Sequence, residues 1–342
     1  MVKGMPSLFT GMASLLLFQT FLMKTGIILV LLFAAISFSF AVKPSETNDL
    51  FNTNQGYKAI INFEDGFLAA RTDGKIDFIT DKGIVVRSLK IGTASLNCLI
   101  TYNENTYIAG DSGSIVVYSK KTGFKTHNKI SDKNINALVL FNDLVIAGSD
   151  KGEVLIGNIN GDFKKYQLPI IGNIVSISSR SNECFGVTDE GEIISTIDGL
   201  NWKILDFNEY YKGFYKPCKF TCIFATEQQI AIAGKKIDGT PVLLLSNQGN
   251  VWSERSLDYT DSDGRISVLE VIPNCINYSV PDDLFILGCS KGKLMTIPSC
   301  SHCNKVFEYA DFDISCFAIK NKTMIVAGIN FYLKLIDTQF EK

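Results

Sequence analysis

Histidine and arginine are scarce in this chain. Two histidines, His127 and His302, stand among 342 residues, which leaves almost no material for a Ser-His-Asp triad or a multi-histidine metal centre. The five arginines are Arg71, Arg87, Arg180, Arg255 and Arg265. They occupy no matching strand positions, so a carboxylate-clamping arginine cluster is not expected. Neither charge is in excess: 33 Lys plus Arg stand against 35 Asp plus Glu, a formal −2. That balance argues against a nucleic-acid partner, which needs a basic face. With only 8 prolines and no low-complexity tract, the body reads as globular. No helical period of useful length follows residue 45, and nothing implies a cofactor.

Long apolar runs are confined to the N-terminus. Residues 8–22 are mostly apolar, and a second run, Gly26 to Phe40, carries no charge. The second resembles a secretory signal: Met23-Lys24 as a basic start, Ile27 to Ile36 as the apolar stretch, Ser39-Phe40-Ala41 as a small-x-small cleavage site. On this reading Met23 is the translation start, residues 1–41 are removed, and residues 42–342 form the mature domain. The alternative is an uncleaved anchor, because the two runs together can cross a bilayer. Either way the body is expected outside the cytoplasm, secreted, periplasmic or anchored facing outward, touching membrane only through this segment.

What is abundant is repetition. An apolar-alternating strand with a small residue at its middle recurs seven times, the small residue falling at 59, 98, 137, 176, 222, 268 and 316. The spacings of 39, 39, 39, 46, 46 and 48 match the period of a β-propeller. Within each unit a strand ending in Ala-Gly or similar leads into a polar turn, as in Ala109-Gly110-Asp111-Ser112-Gly113 and Ala147-Gly148-Ser149-Asp150-Lys151-Gly152. The last glycine supplies the positive φ of a short hairpin. Two further strands complete a four-stranded unit. The expected fold is therefore all-β: a seven-bladed β-propeller of four-stranded antiparallel blades beginning near 57, 96, 135, 174, 220, 266 and 314. The innermost strands crowd around a channel, which explains the small residues. The seventh unit ends early, and Thr47 to Asn52 is expected to close the ring as its missing outer strand, removing an exposed edge.

Two hairpins carry a resemblance. Thr196-Ile197-Asp198-Gly199-Leu200-Asn201-Trp202 and Ser246-Asn247-Gln248-Gly249-Asn250-Val251-Trp252 resemble the Asp-box of sialidase-like propellers, Ser/Thr-x-Asp-x-Gly-x-x-Trp. The first lacks one spacer, and the second has Gln248 near the expected Asp. The resemblance implies a structural role for Thr196, Asp198, Gly199, Trp202, Ser246, Gly249 and Trp252, with the carboxylate tying down the turn and the indole packing between strands. The whole array also resembles the extracytoplasmic propellers of photosystem II stability/assembly factors and, loosely, quinoprotein repeats. That implies a fold and an assembly or binding role, since fold does not fix function.

Nine cysteines in an exported chain require a reading. Cys98, Cys222 and Cys316 fill the small slot, while Cys184 and Cys289 fall in second strands, all as buried hydrophobes. Taking residues 266–269 as the inner strand of unit six puts Cys275 in a long first connection, at the blade end that carries Cys300-Ser301-His302-Cys303. A disulfide among Cys275, Cys300 and Cys303 is expected. Zinc would need Cys275 and His302 beside the pair, and no metal is expected.

The longest connections are the binding candidates. Tyr210, Tyr211, Phe214, Tyr215 and Lys216 suit recognition of a protein or a sugar, unless the rings pack down on the blade edge. The next connection adds Tyr259 and Arg265. Its acidic cluster departs from calcium-loop spacing. The expected function is a non-enzymatic binding or assembly scaffold for a protein or carbohydrate partner, with a sialidase-like or other carbohydrate-active enzyme as the alternative.

Overall fold

The computed structural model describes residues 55–127, 129–158, 162–298, 304–309 and 312–338, without the side chains of Thr126 and His127. Seven antiparallel sheets of sequential strands stand in a ring: blades one to six have four strands, and blade seven has three among the described residues. The inner strands are Tyr57–Phe63, Leu96–Tyr102, Ile135–Phe141, Ile174–Arg180, Cys218–Ala225, Pro273–Ser279 and Ile314–Lys320. Each packs beside the next, and the seventh packs beside the first. This is the expected seven-bladed propeller. The segment expected to close it, Thr47 to Asn52, lies outside the described residues, as do residues 1–54 as a whole.

Blade six begins elsewhere than the spacing suggested. Residues 266–268 are not an inner strand; they pair with Asp258–Thr260 as a separate hairpin inserted between blades five and six. Ile266 is 80% exposed there, which no inner strand would tolerate. The true inner strand starts at Pro273, and its small slot is filled by Cys275. The local sequence Asn274-Cys275-Ile276 matches Asn97-Cys98-Leu99 and Asn136-Ala137-Leu138. That asparagine was the signal the spacing argument passed over.

A β-bulge explains it. In all seven blades the pairing of the inner strand with the second strand skips the residue before the small slot. A bulge re-aims the skipped side chain, here across to the next blade. Asn97, Asn136 and Asn274 donate through Nδ2 to the carbonyls of Ile135, Ile174 and Ile314 at 3.1, 3.3 and 3.1 Å. The Thr221 hydroxyl does the same to Pro273 O at 2.6 Å. Blade four has Val175 at this place and uses serines instead: Ser176 and Ser178 Oγ accept from the amides of Ile223 and Ala225. The polar turns add a second clasp. Lys151, held at φ 53°, donates its amide to Asn173 Oδ1 in the next blade at 3.0 Å, and Gly152 follows at φ 69°. The same bond joins Ser112 to Asn134 and Lys291 to Asp313.

Asn136 also donates to Asp150 Oδ1 at 2.9 Å, so one carboxamide ties its own turn to its neighbour. Asn136→Ala is expected to cost about 1–2 kcal/mol. Asn136→Asp should cost more, because it places a second carboxylate beside Asp150. Urea titrations of the two variants check the order; equal midpoints for both and the parent would remove the clasp from the account.

The core is likewise divided. Seven hydrophobic clusters occupy the seven seams between neighbouring blades. The glycine ending the second strand belongs to this packing. A Cβ at Gly110, Gly234 or Gly328 would lie 2.0–2.2 Å from the carbonyl oxygen of Ser95, Lys219 or Asp313, so the Ala-Gly signature records a close backbone approach.

The seam between blades seven and one carries a buried polar cluster. Asp77, 1% exposed, accepts from the Tyr57 hydroxyl at 2.7 Å and from Arg71 Nη1 at 3.1 Å. Arg71 also bonds Asp73, at 2.8 Å, and lies 4.0 Å above the Phe331 ring of blade seven. Tyr57 meets the same ring edge-on. Beside them, Gln55 O accepts from Asn330 N at 2.7 Å.

Candidate functional site

The bulged strands leave a central channel of about 450 Å³, lined from all seven blades. Its thiols are poor nucleophiles. Burial pushes Cys222 and Cys316 up to about 12 and Cys275 well above the ordinary range. Cys275 Sγ donates to Gly288 O, beside the turn that leads into the third strand. The spacing places Cys275 in a connection, whereas it belongs to the inner strand and is a free thiol. Cys300, His302 and Cys303 themselves lie outside the described residues. Among the described residues no group of three or more His, Cys, Asp or Glu is arranged to hold a metal.

A larger cavity, about 890 Å³, opens on the outer side of the ring between blade five and the inserted hairpin. It exists because the outer strand of blade five is only two residues, Ser253–Glu254, against four to six in blades one to four and six. The chain then turns outward. Leu257, Leu269 and Val271 are buried in the seam between blades five and six and root the hairpin. Asn304, at the start of blade six's outer strand, donates through Nδ2 to Ser256 O and Asp258 O at 3.2 and 2.7 Å. The hairpin tip closes on itself: Asp261 Oδ1 accepts from the amides of Asp263 and Arg265, both at 2.9 Å. Its leading carboxylate is thereby consumed by the turn.

The two tryptophan hairpins differ in what they leave free. In blade four the Asp198 carboxylate accepts from the amides of Asn201 and Leu200 at 2.8 Å, and from Asn201 Nδ2 at 2.7 Å. Those bonds hold its pKa well below the usual carboxylate range. In blade five Ser246 Oγ accepts from Gly249 N at 2.9 Å. Gln248 makes none of the turn's hydrogen bonds and lines the cavity with Asn247 and Asn250. Departure from the Asp pattern thus frees an amide for the cleft. Trp252 is buried between blades four and five, and Trp202 packs half-buried between blades three and four.

The aromatic loop splits in two. Phe207 opens a short helix, α1 (Phe207–Tyr210), whose cap is the Asp206 side chain accepting from Glu209 N. Tyr211 and Tyr215 pack on the buried Phe207 ring with centroids at 4.7 and 5.8 Å. The Tyr211 hydroxyl accepts from Trp252 N at 3.1 Å. These two rings are structural. Tyr210 and Phe214 remain 67% and 85% exposed, while Lys216 pairs with Asp238. Tyr259 lines the cleft, and Arg265 stands exposed at the hairpin tip.

The arginines do not converge. Arg71 is held at the closing seam, Arg87 lies over Phe78 in blade one, and Arg180 bonds Glu183 and Asn247 O. Arg255 lines the cleft and Arg265 belongs to the hairpin. The cleft amides were missed from sequence because they come from three separate segments brought together only by the ring.

No protein-family model matches the chain, and no curated protein matches it. Among solved structures it is similar to the computationally designed Ika8 protein, with a TM-score of 0.55 at 12% identity over 84% of this chain and 97% of that one. At that identity the likeness is one of fold alone.

Proposed function

We propose that the chain is an exported binding or assembly scaffold whose partner, a protein or a carbohydrate, engages the cleft between blade five and the inserted hairpin. The observation that carries this is the insertion itself. Residues 258–268 complete no blade, yet they are rooted in the core and wall a cavity of mixed polar and apolar lining. The Asp-box-like hairpins fit the resemblance to sialidase-like propellers. The enzymatic alternative is the weaker reading, because its carboxylate clamp needs arginines that here sit at separate places. Pull-down from the exported fraction with the parent chain and with a Gln248→Ala/Asn250→Ala variant tests the scaffold. A partner retained equally by both would overturn the cleft as its site.

We also propose that Thr47 to Asn52 supplies the outer strand of blade seven. The third strand there, Leu333–Asp337, buries only Ile336, unlike third strands elsewhere. The nearby Ile84 and Val86 are 58% and 65% exposed. The segment contains two apolar residues, Leu50 and Phe51. Deleting residues 47–52 is expected to lower the thermal midpoint by roughly 5–10 °C, taking about 1.5–3 kcal/mol per buried apolar side chain. An unchanged midpoint would refute the assignment.

A further inference from the structure

The cleft between blade five and the inserted hairpin has the chemistry of a polyol site, and we infer that it binds a neutral oligosaccharide; this rests on the reading of the cleft as the binding site. Five side-chain amides line it, Gln229, Asn247, Gln248, Asn250 and Asn304. Each amide offers donors and an acceptor together, the combination that pairs with adjacent hydroxyls. Hydroxyls from Ser253, Ser256 and Thr260 extend the same surface. Two acceptors, Gln229 Oε1 and Asn304 Oδ1, have no hydrogen-bond partner. Asn304 is 4% exposed, and its amide is locked by the two bonds from Nδ2. The amides that a ligand hydroxyl reaches are the exposed ones, Asn247, Gln248 and Asn250.

Charge and shape narrow the class. Glu254 is held by Lys236 at 2.7 Å, leaving Asp258 and Arg255 as the other charged residues of the lining. That balance favours a neutral ligand over an anionic sugar. A protein anchor would call for charge and amides pushed to the rim; here amide residues share the lining with Leu245, Val251, Tyr259 and Ile266. Tyr259, half-buried, and the exposed Val251 offer surface for the C–H faces of sugar rings. The volume, about 890 Å³, accommodates more than one ring.

The test is an array of neutral and sialylated oligosaccharides probed with the purified full chain, followed by calorimetry on the glycans retained. Expected is retention of neutral glycans, weakened about tenfold or more in Gln248→Ala/Asn250→Ala and unchanged in Tyr210→Ala/Phe214→Ala. All four positions are exposed, so folding is preserved. A blank array, a preference for sialylated glycans, or binding lost only in the Tyr210/Phe214 variant would overturn the inference. If the array is blank while the cleft variant still loses its pulled-down partner, the scaffold stands and the oligosaccharide falls.

Discussion

Asp77→Ala is expected to destabilise the domain by about 2–4 kcal/mol, the cost of leaving the buried Tyr57 hydroxyl without its acceptor and Arg71 without one of its two carboxylates. Asp77 is 1% exposed and receives both the Tyr57 hydroxyl and the Arg71 guanidinium. Its loss leaves Arg71, which also covers Phe331 of the seventh blade, with Asp73 as its remaining carboxylate. Because this cluster joins the last blade to the first, the damage should appear as opening of the ring. Amide exchange in Tyr57–Phe63 and Ile314–Lys320 should rise before exchange elsewhere. Uniform exchange with an unchanged midpoint would show that the apolar seam closes the ring unaided. Acid should act on the same place. Burial raises the Asp73 pKa, but the hydrogen bond and charge of Arg71, with help from Lys75, outweigh it and hold the carboxyl below the ordinary range. A folded-state pKa below the unfolded one gives stability that is complete above about pH 4 and is lost as pH falls toward the folded value. Arg71→Met should lack that acid-sensitive component.

Trp252→Ala is expected to cost about 3–5 kcal/mol, as a large cavity in a packed seam does. The side chain is 2% exposed among Phe185, Ile230 and their neighbours, between blades four and five. Trp252→Phe should recover most of the loss, because Nε1 has no hydrogen-bond partner to forfeit. Trp202→Ala, at a half-buried position, should cost less than Trp252→Ala. Guanidinium titrations give the order through their midpoints at constant slope. A Phe variant as unstable as the Ala variant would mean that the indole nitrogen matters after all. The variant also bears on the cleft, since Val251 beside Trp252 forms part of its wall.

Much of the fold was legible because a propeller repeats its local physics. The small slot, the Ala-Gly approach and the turn glycine recur at a fixed spacing, and each responds to crowding that every blade meets alike. The reading failed where a blade departs from the average. Ile266-Ser267-Val268 has the apolar rhythm of an inner strand and stands near the expected period, yet it is a surface hairpin. Nothing in its own residues separates the two until the bulged Asn274 is seen to repeat Asn97 and Asn136. That one shift moved Cys275 from a connection into the channel wall. Likewise half of the aromatic loop, Tyr211 and Tyr215, was consumed by packing on Phe207.

The sequence by itself determined the number of blades, their strand order and, in six of the seven blades, the inward small residue, because these depend on neighbours within some 40 residues of chain. It also marked the two tryptophan hairpins as structural elements. Only the tertiary structure decided where the ring is fastened and where a ligand has room. Arg71 meets Phe331 across 260 residues, and Gln229, Gln248 and Asn304 share one cleft from separate segments. Closing a ring brings such side chains together through the positions of whole blades, and no local spacing encodes that meeting. The amides of the cleft, unremarkable as isolated turn and loop residues, come together only where the shortened outer strand of blade five leaves a space for them to face.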